Sequence, residues 1–255
     1  MTTGVDLTRV GAVARIRINR PEARNAMTFA MYEALLAALN TVRADASLRV
    51  LVLEGDQRAF VAGTEISEFL AFRSGEDGIA YESFVERVLT ALETLPVPTL
   101  AAVKGVATGG GLMLAIACDL RLVSSRARIG APIARTVGNC LSARNLARLQ
   151  NVVGPTLTRR MLFAAELVDA AVCERSGFST WTADAVSFDT VLEEKLEAIA
   201  SGAPLTHVAT KAALIGIASG DLQDSDIVAG VYGSQDFKEG VEAFTSRRSP
   251  SWQGN

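Results

Sequence analysis

The sequence predicts a layered α/β fold with parallel strand pairing. Short apolar strand signals alternate with apolar stripes at helical spacing, and glycines and prolines punctuate the changes between them. After Val186 the pattern becomes mostly helical. Strand–helix–strand repetition of this kind is the signature of helices packed on a parallel sheet.

Each element has its own warrant. Val13 to Asn19 alternates apolar and polar residues and stops at Arg20-Pro21, so it reads as a strand ending in a turn. Met27, Met31, Leu35, Leu39 and Val42 recur at steps of four and three, the stripe of a helix that buries one face. Val50 to Leu53 is a short, fully apolar strand. Gly78 to Leu95 reads as a helix stopped by Pro96 and Pro98. A strand near Thr99, a glycine turn, a helix to Cys118 and a strand at Leu120 to Val123 follow. Helices are then predicted over Thr190 to Ala200, Pro204 to Ser219, Asp226 to Tyr232 and Asp236 to Phe244. No internal repeat or low-complexity linker interrupts them.

Composition narrows the function classes. With 255 residues, 49% hydrophobic and 21% charged, the chain is long enough for one large globular domain, or one with an appendage. Lys+Arg of 25 against Asp+Glu of 28 leaves no basic footprint for nucleic acid beyond Arg247-Arg248. Cys118, Cys140 and Cys173 are odd in number and widely spaced, which suits reduced thiols rather than a disulfide framework or a zinc site. No metal-ligand cluster is evident. The N-terminus carries Asp6, Arg9, Arg15 and Arg17 without a continuous apolar core of signal-peptide type. Pro96 to Cys118 is apolar enough to imitate a membrane span, yet its glycines and prolines break it into strand, loop and helix. A cytoplasmic protein that spans no membrane is therefore expected.

Gly109-Gly110-Gly111 is the most informative local feature. Glycines at a helix entry leave backbone N–H groups uncovered, and the first N–H groups of a helix have no intrahelical partner. Such a turn can stabilise a phosphate, a carboxylate or a developing oxyanion. Two phosphate loops are excluded. A nucleotide P-loop requires Lys-Ser or Lys-Thr after its last glycine, whereas Leu112-Met113 follows here. The dinucleotide fingerprint requires a third glycine where Leu114 stands.

Three further segments lie in register with this turn: Asn19-Arg-Pro-Glu-Ala-Arg-Asn-Ala-Met27, Ala59-Phe-Val-Ala-Gly-Thr-Glu-Ile66 and Ala117-Cys-Asp119. Together with Ala101 to Gly111 they resemble the enoyl-CoA hydratase/isomerase (crotonase) family from about Val10 to Phe244. The resemblance implies a spiral of ββα units over residues 1–190 and a helical oligomerisation region over 191–255. The assembly it implies is a homotrimer or a dimer of trimers. It also implies an acyl-CoA thioester ligand, with coenzyme A entering as part of the substrate and no separate cofactor. By motif position, the N–H groups of Thr64 and Gly110 would hold the thioester carbonyl. Donors aimed where negative charge develops are worth roughly 3–4 kcal/mol each in acyl-transfer sites. Ala23, Arg24, Ala62 and Ile66 match positions along the coenzyme A path, and Arg247 matches a C-terminal basic position that can reach its phosphates. Solvated surface charge is the other reading of Arg24 and Arg247.

The departures from the family pattern are as informative. Hydratases that the chain resembles carry catalytic glutamates where it has Met113 and Ile133. Hydration requires one group to activate water and one to protonate carbon, and neither of these side chains transfers a proton. The two-glutamate mechanism is thus not expected. Arg135, Asn139 and Cys140 are candidates to contact the acyl group or the reaction centre. A structural ion pair is the alternative for Arg135, and a small buried core residue the alternative for Cys140. Glu65 and Asp119 read as structural, Glu68 and Tyr81 as lining candidates, and His207 as a surface or packing residue. The open functions are enolate chemistry with a nonstandard base, thioester cleavage or substitution through Cys140, and silent acyl-CoA binding.

Overall fold

The computed structural model describes residues 4–255. Strands β1 (Val5–Val10) and β2 (Val13–Ile18) form an antiparallel hairpin. Helix α1 (Phe29–Ala44) leads into β3 (Val50–Glu54) and β4 (Ala59–Val61), and helix α2 (Gly75–Glu93) follows. The motif repeats with β5 (Thr99–Val103), β6 (Val106–Thr108) and α3 (Gly110–Ala117). It repeats again with β7 (Leu120–Ser124), β8 (Arg128–Gly130) and α4 (Ala143–Phe163), the last interrupted at Gly154-Pro155. Helix α5 (Ala170–Arg175), β9 (Trp181–Ala183) and four helices complete the chain: α6 (Phe188–Ala200), α7 (Pro204–Ser219), α8 (Ser225–Tyr232) and α9 (Gln235–Thr245).

In each repeat the first strand joins one sheet and the second joins another. The large sheet has the order β1-β2-β3-β5-β7-β9 and is parallel from β2 onward; the small one has the parallel order β4-β6-β8. Successive side chains of a strand point to opposite faces. Leu51, Leu53, Ala101, Val103 and Val123 therefore face the main core, while Val50, Val52, Leu100, Ala102 and Leu122 face Phe188, Leu192 and Leu196 of α6. Because both faces are covered, β3 and β5 have no polar alternation to show.

The predicted stripe is buried in α1 from Met31 to Val42, but Met27 lies before the helix in a bridge to Thr64; Thr28 caps the helix by accepting from the Met31 N–H at 3.1 Å. Helix α2 begins three residues earlier than Gly78. Ser74 and Asp77 close a capping box there, with Asp77 accepting from the N–H groups of Arg73 (2.7 Å) and Ser74 (2.9 Å). Helix α3 is buried from Gly111 to Ala117 in the middle of the molecule. Burying each of Leu112, Met113, Leu114 and Ile116 is worth about 1.5–3 kcal/mol.

Candidate active site

The site is built where the small sheet ends. Strands β4 and β6 are parallel neighbours, so the turns that leave them, Ala62-Gly63-Thr64 and Gly109-Gly110-Gly111, lie side by side. The Thr108 hydroxyl donates to the Ala62 carbonyl at 2.9 Å, and the Gly109 N–H donates to the Gly130 carbonyl at 3.1 Å. Gly63 (φ +116°) and Gly109 (φ +53°) take backbone conformations that side-chain-bearing residues rarely adopt. Gly111 is needed for space, since a Cβ there would fall 1.9 Å from the Val61 carbonyl oxygen.

Two backbone donors remain free beside these turns. The Met27 N–H donates to Gly63 O and the Glu65 N–H to Met27 O, both at 2.8 Å. This extended pairing leaves the Thr64 N–H on the other side of the chain from Met27. Gly110 is the first residue of α3, where an N–H lacks an intrahelical acceptor. Among the described residues neither amide has a partner.

Thr64 and Gly110 line a cavity of about 200 Å³. Met113 and Ile133 line it too, so its wall is apolar at both positions. A second cleft of about 590 Å³ adjoins it and shares Phe69, Tyr81, Glu82, Val137 and Asn139. Phe69, Phe72 and Ile79 make much of that cleft apolar. The cavity also meets a chain of hydroxyls: Thr64 Oγ1 is hydrogen-bonded to Tyr81 Oη at 2.7 Å and to Tyr32 Oη at 3.0 Å. Burial pushes the Tyr81 phenol up to about 12, with the Glu82 charge adding to the shift. Burial also pushes up the Tyr32 phenol, which the charges of Tyr81 and Glu82 disfavour from ionising.

Helix α2, which carries Tyr81 and Glu82, is clamped to α4. The Arg148 guanidinium bonds Glu86 at 2.5 and 2.7 Å and Glu93 at 2.6 and 2.8 Å. The Ser142 N–H, at the start of α4, donates to Glu82 Oε2 at 3.1 Å.

Comparison with known proteins places this arrangement. Residues 8–255 match the family model described as enoyl-CoA hydratase/isomerase. The chain belongs to the enoyl-CoA hydratase/isomerase family. It is 30% identical to the 2,3-dehydroadipyl-CoA hydratase of Escherichia coli K12, covering 97% of this chain and 98% of that protein. It is 28% identical to a short-chain-enoyl-CoA hydratase of Clostridium acetobutylicum, over 96% of this chain and 95% of the relative. Among solved structures, an enoyl-CoA hydratase/carnithine racemase from Magnetospirillum magneticum superposes with a TM-score of 0.93. That protein shares 29% identity, covering 99% of this chain and 96% of its own. The ββα architecture with its helical C-terminal region is thus crotonase-like.

Within this family member, the predicted residues divide into those brought together and those left outside. Ala62, Thr64, Ile66, Gly110, Met113, Ile133 and Asn139 all line the inner cavity. Cys140 lines only the outer cleft and is exposed, not a buried core residue. Arg135 is exposed and lines neither space. It ends the 3-10 turn Pro132–Arg135, where three residues make one turn, so a residue two beyond Ile133 points away from it. Among the described residues Arg135 makes no ion pair. Ala23 and Arg24 lie in a short turn abutting Ala62, whose N–H donates to Arg24 O at 3.2 Å; the Arg24 side chain is exposed. Arg247 follows α9, exposed, and lines neither space.

The remaining polar readings resolve locally. Glu65 is paired with Arg20 at 2.7 Å, and this bond with those to Ser67 holds its carboxyl below the usual range. Glu68 does not line the site; it accepts from the Phe29 N–H at 2.5 Å at the start of α1. Asp119 accepts from Thr99 N (2.7 Å) and Oγ1 (2.8 Å) and from the buried Lys211 Nζ at 2.7 Å. His207 packs in α7 against Gly202, and burial lowers its pKa. The sequence does not single out Glu82 and Asn145, polar residues that line the cavity, nor the apolar Phe69 and Val85 beside them. Glu82 had a visible signal. It lies three and seven residues before Val85 and Leu89, on the buried stripe of α2, where a carboxylate is out of place.

Proposed function

We propose that this chain binds an acyl-CoA thioester with its carbonyl oxygen between the N–H groups of Thr64 and Gly110. Those donors stabilise the enolate that forms when an α-proton leaves. One observation carries the reading: two unpartnered backbone donors on adjacent turns border a largely apolar cavity. Fixed donors of this kind need no reorganisation as charge develops on oxygen. The acyl group then extends towards Phe69 and the outer cleft. The turn at Ala23 and Arg24 lies against Ala62 on the coenzyme A side, with Arg247 available to its phosphates. Nothing further is required as a cofactor.

Met113 and Ile133 leave the cavity without the two carboxylates of a hydratase of the usual kind. Thioester cleavage through Cys140 has less support, because that thiol borders the outer cleft and not the paired donors. The region 191–255 supplies the contacts of a homotrimer or a dimer of trimers in this reading. Its support is the apolar surface of Leu214, Ile217, Tyr232, Val241 and Phe244 that α7, α8 and α9 expose.

The test compares hexanoyl-CoA with S-hexyl-CoA, a thioether lacking the carbonyl, by calorimetric binding. At least tenfold tighter binding of the thioester is expected, and equal affinity would refute the carbonyl site. Crotonyl-CoA hydration should stay below a kcat/KM of about 10⁴ M⁻¹s⁻¹, the lower end of ordinary enzymes.

A further inference from the structure

The geometry points to Glu82 as the proton-transferring residue of this site, removing and returning the α-proton of an acyl-CoA whose carbonyl lies between Thr64 and Gly110. This inference rests on the acyl-CoA reading above and adds the missing base to it.

Glu82 is the one carboxylate lining the inner cavity, and no Lys, Arg or His lines either space among the described residues. Neighbouring acids are committed elsewhere: Glu65 to Arg20, Glu68 to the Phe29 N–H and Glu86 to Arg148. Glu82 has no cationic partner among the described residues. Its Oε2 accepts from the Ser142 N–H at 3.1 Å, which fixes the carboxylate while Oε1 keeps no partner among the described residues. Glu82 follows directly on Tyr81, whose hydroxyl is bonded to Thr64 Oγ1 at 2.7 Å, and all three residues line the inner cavity. A general base must be held, open to the space where its proton lies and free of a neutralising cation. Glu82 is held by the Ser142 N–H, lines the cavity of Thr64 and Gly110, and has no cation beside it among the described residues.

The step balances without a co-reactant. Glu82 Oε1 takes the α-proton and becomes a carboxylic acid. The C–H electron pair moves into the Cα–C bond and the carbonyl pair onto oxygen, where the two N–H groups receive the charge. Reversal returns a proton to carbon. In D2O the acid proton exchanges, so α-deuterium accumulates. The best substrate class is a β,γ-unsaturated acyl-CoA, whose α-proton is the more acidic because the enolate is conjugated.

The experiment incubates the full chain with hexanoyl-CoA and 3-hexenoyl-CoA in D2O, reads α-deuterium by mass spectrometry, and measures the affinity of both probes. Wild type is expected to deuterate 3-hexenoyl-CoA above the enzyme-free rate. Glu82→Gln keeps the acceptor for the Ser142 N–H, and it should lower the rate at least 100-fold with affinity unchanged within threefold. Glu82→Asp should fall between the two. Exchange by Glu82→Gln at the wild-type rate overturns the assignment, as does wild-type binding without exchange. If wild type binds neither thioester, the acyl-CoA reading fails and the assignment goes with it.

Discussion

Replacing Gly110 with alanine tests the geometry of the site without any substrate in hand. A Cβ at residue 110 would lie 2.3 Å from Tyr32 Oη, about 1 Å inside ordinary contact, and 3.2 Å from Thr64 Oγ1. Tyr32 is fully buried and its hydroxyl is held by Thr64, so the ring has little room to retreat. Overpacking of this kind costs about 1–3 kcal/mol. The better helix propensity of alanine returns at most about 1 kcal/mol. Tyr32→Phe removes the obstructing oxygen, leaving the ring carbon Cζ at 3.7 Å from the new Cβ. On its own it loses one hydrogen bond, about 1 kcal/mol, while the Thr64 hydroxyl keeps Tyr81 as partner. The double variant should therefore be more stable than the sum of the singles by about 1–2 kcal/mol. Urea denaturation followed by circular dichroism measures all four corners of the cycle. Strict additivity, or an unperturbed Gly110→Ala, would show that Tyr32 does not stand behind the glycine turn. The single variant should also weaken thioester binding, since the Gly110 N–H must move with the helix start.

Two further outcomes are expected. Because the folded state raises Tyr81 from 10.0 to about 12, the fold favours the protonated phenol; the resulting stability is complete below pH 10 and falls as pH rises towards 12. Spectrophotometric titration should accordingly show no change below pH 11 when either Tyr32 or Tyr81 is replaced by Phe, and loss of a phenolate step near pH 10 would contradict this. Phe244, 86% exposed on α9, lies on the surface assigned to assembly; Phe244→Glu should shift the sedimentation of the purified protein from a trimer or hexamer to smaller species.

The parts of the fold legible in the sequence were those with a long period. The stripe of α1, the apolar β3 and the glycine turn announce themselves because several residues repeat one environment. Strands β4, β6 and β8 have three residues each, too short to show a period, although they carry the two turns of the site. Helix α4 has no clear signal in the sequence because Gly154-Pro155 breaks its repeat and its exposed face is strongly polar. At the site, motif order brought together Thr64, Gly110, Met113 and Ile133, which do share a cavity. Glu82 was not readable from motif order, since its importance comes from which side of α2 meets the 132–142 segment. Arg135 illustrates the reverse: a charged residue close in sequence to the cavity is turned outward by the pitch of a 3-10 turn.

The Arg148 clamp has a mechanical consequence. Glu86 and Glu93 lie two helical turns apart, so a single guanidinium grips the C-terminal two turns of α2 and ties them to α4. The part of α2 that lines the site, from Tyr81 to Val85, precedes this grip and is tied to the start of α4 by the Ser142 N–H bond to Glu82. Any widening to admit a bulky acyl chain falls to the two stretches that line the outer cleft outside α2, the end of the 3-10 helix at Phe69 to Phe72 and the segment Val137 to Asn139. Changes there would tune which molecules enter, while the α2 side keeps its distance from the paired amides.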